Sequence, residues 1–161
     1  MYGENQPETS ASGLRVAVVV SRYHASITDA MCGSATACFR SAGGGADDLE
    51  IVYAPGAFEL TAICRALAAR GDCDAVVALG CVISGETEHD RYIASAVATG
   101  LTMITVQTGV PVAFGVLTCR SLEQARARAG GDRGNKGAEA MAAAIETART
   151  LRMLRRMQEC T

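Results

Sequence analysis

Residues 84–90, Ser84-Gly-Glu-Thr-Glu-His-Asp90, combine residue types that can bind a phosphate and move a proton. They follow a strongly apolar run and precede a helical pattern, so their backbone N–H groups would lie at a helix N-terminus. Such a terminus attracts anions through its free amides and the positive end of the helix dipole. Gly85, Glu86 and Thr87 therefore predict a phosphate site, with the Glu86 carboxylate turned away from the anion. His89 could transfer protons near neutral pH; the alternative is a capped helix with an exposed histidine.

Two other segments place an aromatic ring and a carboxylate at strand ends. Residues 21–24, Ser-Arg-Tyr-His, follow the first apolar run, and the Tyr23 ring could stack on a flat heterocycle or be an ordinary surface side chain. Residues 54–59 contain a Pro-Gly turn and then open a helical pattern. Glu59 in a first helical turn is often only a complement to the helix dipole. The residues alone therefore suggest a phosphate-bearing small molecule, an aromatic partner and one histidine.

A basic, glycine-rich segment covers residues 126–137 and contains Lys136, the one lysine of the chain. It lies between two helical patterns. Neither G-x-x-x-x-G-K-[ST] nor G-x-G-x-x-G after a strand occurs, so the sequence indicates neither a nucleotide P-loop nor a dinucleotide-binding fold.

Length and composition narrow the function classes. A chain of 161 residues fits one domain. Its net charge of −2 provides no basic field for nucleic acid. It lacks an apolar run long enough to span a membrane, and its N-terminus has no signal-peptide core. The seven cysteines are odd in number and form no C-x-x-C pair, which argues for free thiols rather than disulfides or a metal site. We expect a cytoplasmic domain.

Apolar runs that alternate with helical patterns predict the elements that must position these residues. Four strands are expected at residues 15–21, 49–54, 75–83 and 112–117, with helices between them. Ser121-Leu-Glu-Gln124 has the form of a capping box, and a last helix is expected from about Ala138 to Met157. This alternation predicts an α/β fold with a parallel sheet between two layers of helices. Ligands bind such sheets beyond the carboxyl ends of the strands, so the loops after Ser21, Ala54, Ile83 and Leu117 are the candidate site.

The loops and the segments beside them contain four groups of motifs: Pro55-Gly-Ala-Phe-Glu59, Ala78-Leu-Gly-Cys-Val-Ile83 with Gly85-Glu-Thr-x-His89, Gly109-Val-Pro-Val-x-Phe-Gly115, and Glu123-Gln-Ala-x-x-Arg-Ala-Gly130 with Gly134-Asn-Lys-Gly137. Taken together and in this order, they resemble the lumazine synthase family of riboflavin biosynthesis. The resemblance covers about residues 14–150.

The resemblance implies a reaction and a role for each site residue. The family condenses 5-amino-6-(D-ribitylamino)uracil with 3,4-dihydroxy-2-butanone 4-phosphate to 6,7-dimethyl-8-ribityllumazine, releasing phosphate and water, without a metal or organic cofactor. By resemblance, His89 is the proton donor, and Glu86, Thr87 and Arg128 bind the phosphate. The positions that match the pyrimidine and ribityl contacts are Tyr23, Ala57, Phe58, Glu59, Cys81, Val82, Ile83, Phe114 and Lys136.

The same resemblance implies an organisation. The fold would be flavodoxin-like, with residues 14–161 as a single domain and residues 1–13 as an extension that adds to a neighbouring subunit's sheet. Phe114 would reach a neighbouring subunit's pyrimidine, with Lys136 and Glu139 nearby, in a pentameric homo-oligomer. The short link at residues 129–137 favours assembly of pentamers into a sixty-subunit shell, and association with riboflavin synthase is a further expectation.

Several positions depart from the family pattern. Tyr23-His24 stands where Phe or Trp followed by Asn is usual, Ser84 replaces a common Arg, Thr61 a common Pro and Asp90 a common aromatic residue. Two alternatives stay open on the sequence alone. One is an archaeal-type riboflavin synthase, against which the Gly85-Glu-Thr-x-His89 loop argues. The other is a flavin-binding, carrier or shell-forming protein without catalysis.

Overall fold

A four-stranded parallel sheet forms the centre of the computed structural model, which describes residues 10–159. Its strands are β1 (Val16–Ser21), β2 (Leu49–Ala54), β3 (Ala75–Ile83) and β4 (Val112–Cys119), in the spatial order β2-β1-β3-β4. All neighbouring pairs are parallel. The carboxyl ends of the strands therefore share one edge of the sheet, as the sequence predicts.

Helices cover both faces of this sheet. They are α1 (Ala25–Ser41), α2 (Leu60–Arg70), α3 (His89–Thr108), α4 (Leu122–Ala127) and α5 (Lys136–Glu159). Alternate residues of β1 point to opposite faces. Val18 packs with the buried side chains of α1 and α5, whereas Val19 packs with those of α2 and α3. The predicted three-layer α/β/α architecture is confirmed.

The two central strands are buried almost throughout, while the edge strands are partly exposed. Every residue of β1 is buried, as are all of β3 except its last residue. This accounts for their continuous apolar runs, because helices shield both faces. β2 and β3 have the predicted bounds. β4 continues two residues beyond the predicted end, because Thr118 and Cys119 still pair with Val82 and Ile83.

The link between α4 and α5 contains a small antiparallel hairpin that the sequence analysis does not predict. Its strands are β5 (Ala129–Gly131) and β6 (Gly134–Asn135). Gly134 has a φ of 79°, a conformation that favours glycine. The Asn135 Oδ1 atom accepts a hydrogen bond from the Gly137 amide at 2.9 Å, so α5 begins two residues before its predicted start.

Residues 10–13 pack against the domain rather than standing apart from it. Ala11 is fully buried and its amide donates to the Ala42 carbonyl at 2.7 Å. Arg149 Nε donates to the Ser10 carbonyl at 2.7 Å, and Arg152 Nη1 donates to the Gly13 carbonyl at 3.1 Å. These contacts hold residues 10–13 of the expected extension against their own domain. Residues 1–9 of the expected extension lie outside the described residues.

Two sequence expectations concern the whole chain. Over residues 10–159, no helix combines the length and apolar character that crossing a membrane requires. The six cysteines in that range are free thiols, and Cys160 lies outside it. These six are Cys32, Cys38, Cys64, Cys73, Cys81 and Cys119.

Candidate active site

A cavity of about 850 Å³ lies beyond the carboxyl ends of β1, β2 and β3. It is lined by three of the four loops that the sequence analysis selects, together with the first turns of α3. The sequence-predicted site residues that line it are Tyr23, Ala57, Phe58, Glu59, Cys81, Val82, Ile83, Thr87 and His89.

The loop after β1 presents a ring to this cavity. The Tyr23 side chain is 67% exposed, which leaves a ring face available for stacking. His24, beside it, begins α1 and also lines the cavity. The sequence analysis notes His24 only as a departure from a family pattern, so its place in the cavity is a finding of the structure.

The loop after β2 adds a carboxylate to the cavity lining. Glu59 is the N-cap residue of α2, but its side chain makes no capping hydrogen bond. Its carboxylate instead folds back over Gly56, where an added Cβ would lie 2.9 Å from Glu59 Oε2. The exposed carboxylate is therefore free to accept hydrogen bonds from a ligand rather than serving as a helix cap.

The end of β3 offers backbone groups rather than reactive side chains. β1 pairs with β3 only as far as Leu79, whereas β4 pairs with it up to Ile83. On the β1 side, the backbone N–H and C=O groups of Cys81 and Ile83 therefore have no strand partner among the described residues and need other partners, whereas those of Val82 face β4. Burial raises the pKa of the Cys81 thiol to about 11, so this thiol stays protonated at neutral pH and is a poor nucleophile.

The loop after β3 leads into α3 as predicted. His89 is the first residue of that helix and is exposed. Among the described residues, the amides of Gly85, Glu86 and Thr87 donate to no other protein group. These amides lie at a helix N-terminus, the arrangement that attracts an anion. Glu86 itself is exposed and does not line the cavity.

A side-chain hydrogen bond ties the two ends of this loop together. Ser84 Oγ donates to Asp90 Oδ2 at 2.8 Å, and the Ser84 amide donates to the Cys119 carbonyl at 2.8 Å. Both side chains are departures from the family pattern noted above. The structure shows that the two departures contact each other and together close the loop that carries Thr87 and His89.

The remaining predicted site residues lie elsewhere on the chain. Arg128 and Lys136 line a second cavity of about 250 Å³ beside the edge strand β4. Lys136 Nζ lies 3.1 Å from Glu139 Oε2. Phe114, on the same strand, is 41% exposed. The two cavities share no lining residue, so one chain does not bring Arg128, Lys136 or Phe114 into the cavity that contains His89.

The described residues contain no cluster of side chains suited to binding a metal ion. Within residues 10–159, no group of three or more His, Cys, Asp or Glu side chains could hold a metal ion. The groups that the cavity does offer are amides, the imidazoles of His24 and His89, carboxylates and aromatic rings.

Comparison with known proteins decides the family. The model of the 6,7-dimethyl-8-ribityllumazine synthase family matches residues 13–152. This chain belongs to that family. The enzyme of the same name from Thermus thermophilus is 43% identical over 150 residues, which cover 93% of this chain and 96% of the relative. The one from Anaeromyxobacter dehalogenans is 45% identical over 145 residues, which cover 90% of each chain.

In this lumazine synthase family member, sequence reasoning missed part of the cavity wall. Tyr92, Ile93 and Ala96 line the cavity although no motif contains them. They follow His89 by three, four and seven positions, the spacing that places side chains on one helix face. Helical periodicity counted from His89 is therefore a signal that could have found them.

Proposed function

We propose that this chain condenses 5-amino-6-(D-ribitylamino)uracil with 3,4-dihydroxy-2-butanone 4-phosphate to give 6,7-dimethyl-8-ribityllumazine, the penultimate step of riboflavin biosynthesis. One observation carries the proposal: in a chain of the lumazine synthase family, a single cavity joins the Tyr23 ring, the Glu59 carboxylate, the loop amides before α3 and the His89 imidazole.

The pyrimidine and its ribityl chain fit the wall formed by β1, β2 and β3. The Tyr23 ring would stack on the heterocycle. The backbone of Cys81 and Ile83 would bind the polar edge of the ring, because their N–H and C=O groups face the side that β1 leaves unpaired, and Val82 lies between them in the cavity wall. The Glu59 carboxylate would accept hydrogen bonds from ribityl hydroxyls, with Ala57 and Phe58 beside it.

The phosphate of the second substrate fits the part of the cavity formed by the loop between β3 and α3. The amides of residues 85–87 and the dipole of α3 supply positive potential there. Thr87 adds a hydroxyl donor. Arg128 would complete the phosphate site from a second copy of the chain, since within one chain it lines the separate cavity beside β4.

The Ser84–Asp90 hydrogen bond gives a first test of this phosphate site. Ser84→Ala removes a bond that holds the loop closed, and an exposed hydrogen bond of this kind contributes roughly 0.5–1.5 kcal/mol. We expect the KM for butanone phosphate to rise about two- to tenfold, with the pyrimidine KM unchanged. Ser84→Thr keeps the hydroxyl and is the matched control. A rise in the pyrimidine KM alone would contradict this role.

The chemistry needs few reactive groups once both substrates are bound. An amine of the pyrimidine attacks the ketone and loses water to form an imine. Elimination of phosphate then leaves an enol that tautomerises to a new carbonyl group, and attack of the second amine on that carbonyl with loss of a second water closes the ring. His89 can supply and remove the protons of these steps at neutral pH. Holding the two reactants together supplies much of the remaining acceleration.

His89→Ala should therefore slow turnover without abolishing it. General acid–base catalysis contributes about 10²- to 10⁴-fold, and we expect the low end of that range because the condensation is easy once the partners are adjacent. Single-turnover rates of lumazine formation, with circular dichroism to show that the variant is folded, measure the effect. A folded His89→Ala protein with no detectable turnover would refute this prediction.

The shared site leads to a proposed homo-oligomer. Phe114, Lys136 and Arg128 would enter the cavity of a neighbouring copy. Large apolar side chains on α3 support such contacts, since Tyr92 is 70% and Val106 is 74% exposed. We propose a cyclic pentamer as the active unit and a sixty-subunit shell as its assembled form. A cytoplasmic location and association with riboflavin synthase complete the proposal.

Mixing the purified protein with both substrates and following lumazine absorbance tests the function. Lumazine formation supports the proposal. Consumption of added lumazine would instead indicate a riboflavin synthase, and binding of lumazine without turnover would indicate a carrier or shell protein. Either of the last two results refutes the proposed reaction.

A further inference from the structure

His24 has an unusual backbone for its residue type. Its φ of 61° and ψ of 47° lie in the left-handed region, and among residues 10–159 it is the one non-glycine residue with a positive φ. A non-glycine residue there costs free energy, and such residues cluster at binding and catalytic sites. The conformation is therefore a reason to ask what the side chain does.

The side chain of His24 is not needed to start the helix. As the N-cap residue of α1, it makes no side-chain capping hydrogen bond. Its backbone carbonyl instead accepts a hydrogen bond from the Ile27 amide at 2.9 Å and so begins the helix. The buried Thr28 hydroxyl also donates to the Ser21 carbonyl at 2.7 Å and so joins the end of β1 to the helix. Local hydrogen bonds thus hold the turn and leave the imidazole free.

The imidazole instead packs against the ring expected to stack on the substrate. The His24 and Tyr23 ring centroids lie 4.8 Å apart, with the planes at 73°, an edge-on contact. Both residues line the cavity. The left-handed turn at His24 is what brings the side chains of two successive residues together, since in extended backbone they would point to opposite sides.

We propose that His24 is a positioning residue that holds the Tyr23 ring in the orientation needed to stack on the heterocyclic substrate. This inference rests on the proposed function. It acts through Tyr23 and not through contact with the substrate. An edge-on aromatic pair contributes an amount equivalent to about two- to tenfold in affinity, which sets the size of effect to look for.

A double-mutant cycle tests the coupling. His24→Asn keeps a residue type that tolerates the left-handed region but removes the ring. We expect it to raise the KM for the pyrimidine and the Kd for the fluorescent product lumazine about two- to tenfold, with kcat and the KM for butanone phosphate within about twofold of the unchanged protein. In a Tyr23→Ala background, His24→Asn should have no further effect. Tyr23→Phe keeps the ring and is the matched control for Tyr23→Ala.

The outcomes separate this inference from the function on which it rests. If the unchanged protein forms no lumazine, the proposed function fails. If it forms lumazine but His24→Asn leaves the pyrimidine KM and the lumazine Kd unchanged, the positioning role is wrong. An equal effect of His24→Asn with and without Tyr23 would show direct contact with the ligand and would also overturn it. Parallel rises in both substrate KM values, with a lower Tm, would show a merely structural role.

Discussion

Arg128→Ala should raise the KM for butanone phosphate about 10- to 100-fold while the Kd for the ribityl pyrimidine stays within about twofold. A hydrogen bond to a charged group contributes roughly 1.5–3 kcal/mol, and a guanidinium can bind phosphate through two parallel bonds. Arg128 is exposed, and within its own chain Nη1 makes a 3.4 Å hydrogen bond to the Gln124 carbonyl. Its remaining donors are therefore available to a ligand brought by a second copy.

The control for this experiment lies in the same cavity. Arg133 also lines the cavity beside β4, and its side chain is 71% exposed. Arg133→Ala removes an equal charge and should change either KM by less than about twofold. Arg128→Lys should restore only part of the affinity, because a single ammonium cannot reproduce the paired geometry of a guanidinium. Equal losses for both substrates in initial-rate titrations would contradict the assignment of Arg128 to the phosphate.

The sheet could be predicted from the sequence because its signals are local. The β-branched run of β1 and the apolar run of β3 are too continuous for half-exposed strands, and the structure buries both strands. The turn residues Pro55 and Gly56 stop β2 at its predicted end. Since parallel strands end at one edge, the strand assignments also predicted three of the loops that form the large cavity.

Contacts between segments that are distant in the chain could not be predicted from the sequence in the same way. Arg149 and Arg152 lie on the last helix, and their guanidinium groups donate to carbonyls of residues 10–13, which lie 139 positions earlier in the chain. Gly137 lies in a motif, but its structural reason is a close helix crossing, where an added Cβ would lie 2.0 Å from the Met31 carbonyl oxygen. No local periodicity reports such an approach.

Only part of the candidate site could be predicted from the sequence, because local signals place some of its residues and not others. Thr87 and His89 follow a strand end, so their place in the cavity comes from strand order. Arg128 follows α4, and nothing in its local sequence says on which side of β4 it will lie. The structure places it in a cavity separate from that of His89, so the proposed function needs a second copy of the chain to bring Arg128 to that cavity.

We therefore expect that separating the subunits has the largest effect on catalytic activity. An isolated chain would hold the His89 cavity and the Arg128 cavity apart, so catalysis would require a neighbouring copy in a ring of heterologous contacts. Light scattering of the native protein should give a particle of five chains of 16.7 kDa, about 84 kDa, or of sixty such chains, about 1 MDa. The short hairpin link of β5 and β6 leads us to expect the larger particle. A monomer of about 17 kDa with full activity would refute the shared site.

Mixed assemblies show whether the two surfaces come from different chains. Thr87→Asp places a negative charge in the phosphate loop, and Arg128→Ala removes the guanidinium, so each variant alone should lose most activity. In rings assembled from equal amounts of both variants, a site is intact only when an Arg128→Ala chain supplies Thr87 and a neighbouring Thr87→Asp chain supplies Arg128. Random assembly makes that arrangement about a quarter of all sites, so about a quarter of the native activity should return.

Activity no higher than the average of the two separate variants would mean that each chain supplies both residues to its own site. A control mixture of Thr87→Asp with Thr87→Ala should recover nothing, because both variants carry the defect on the same surface.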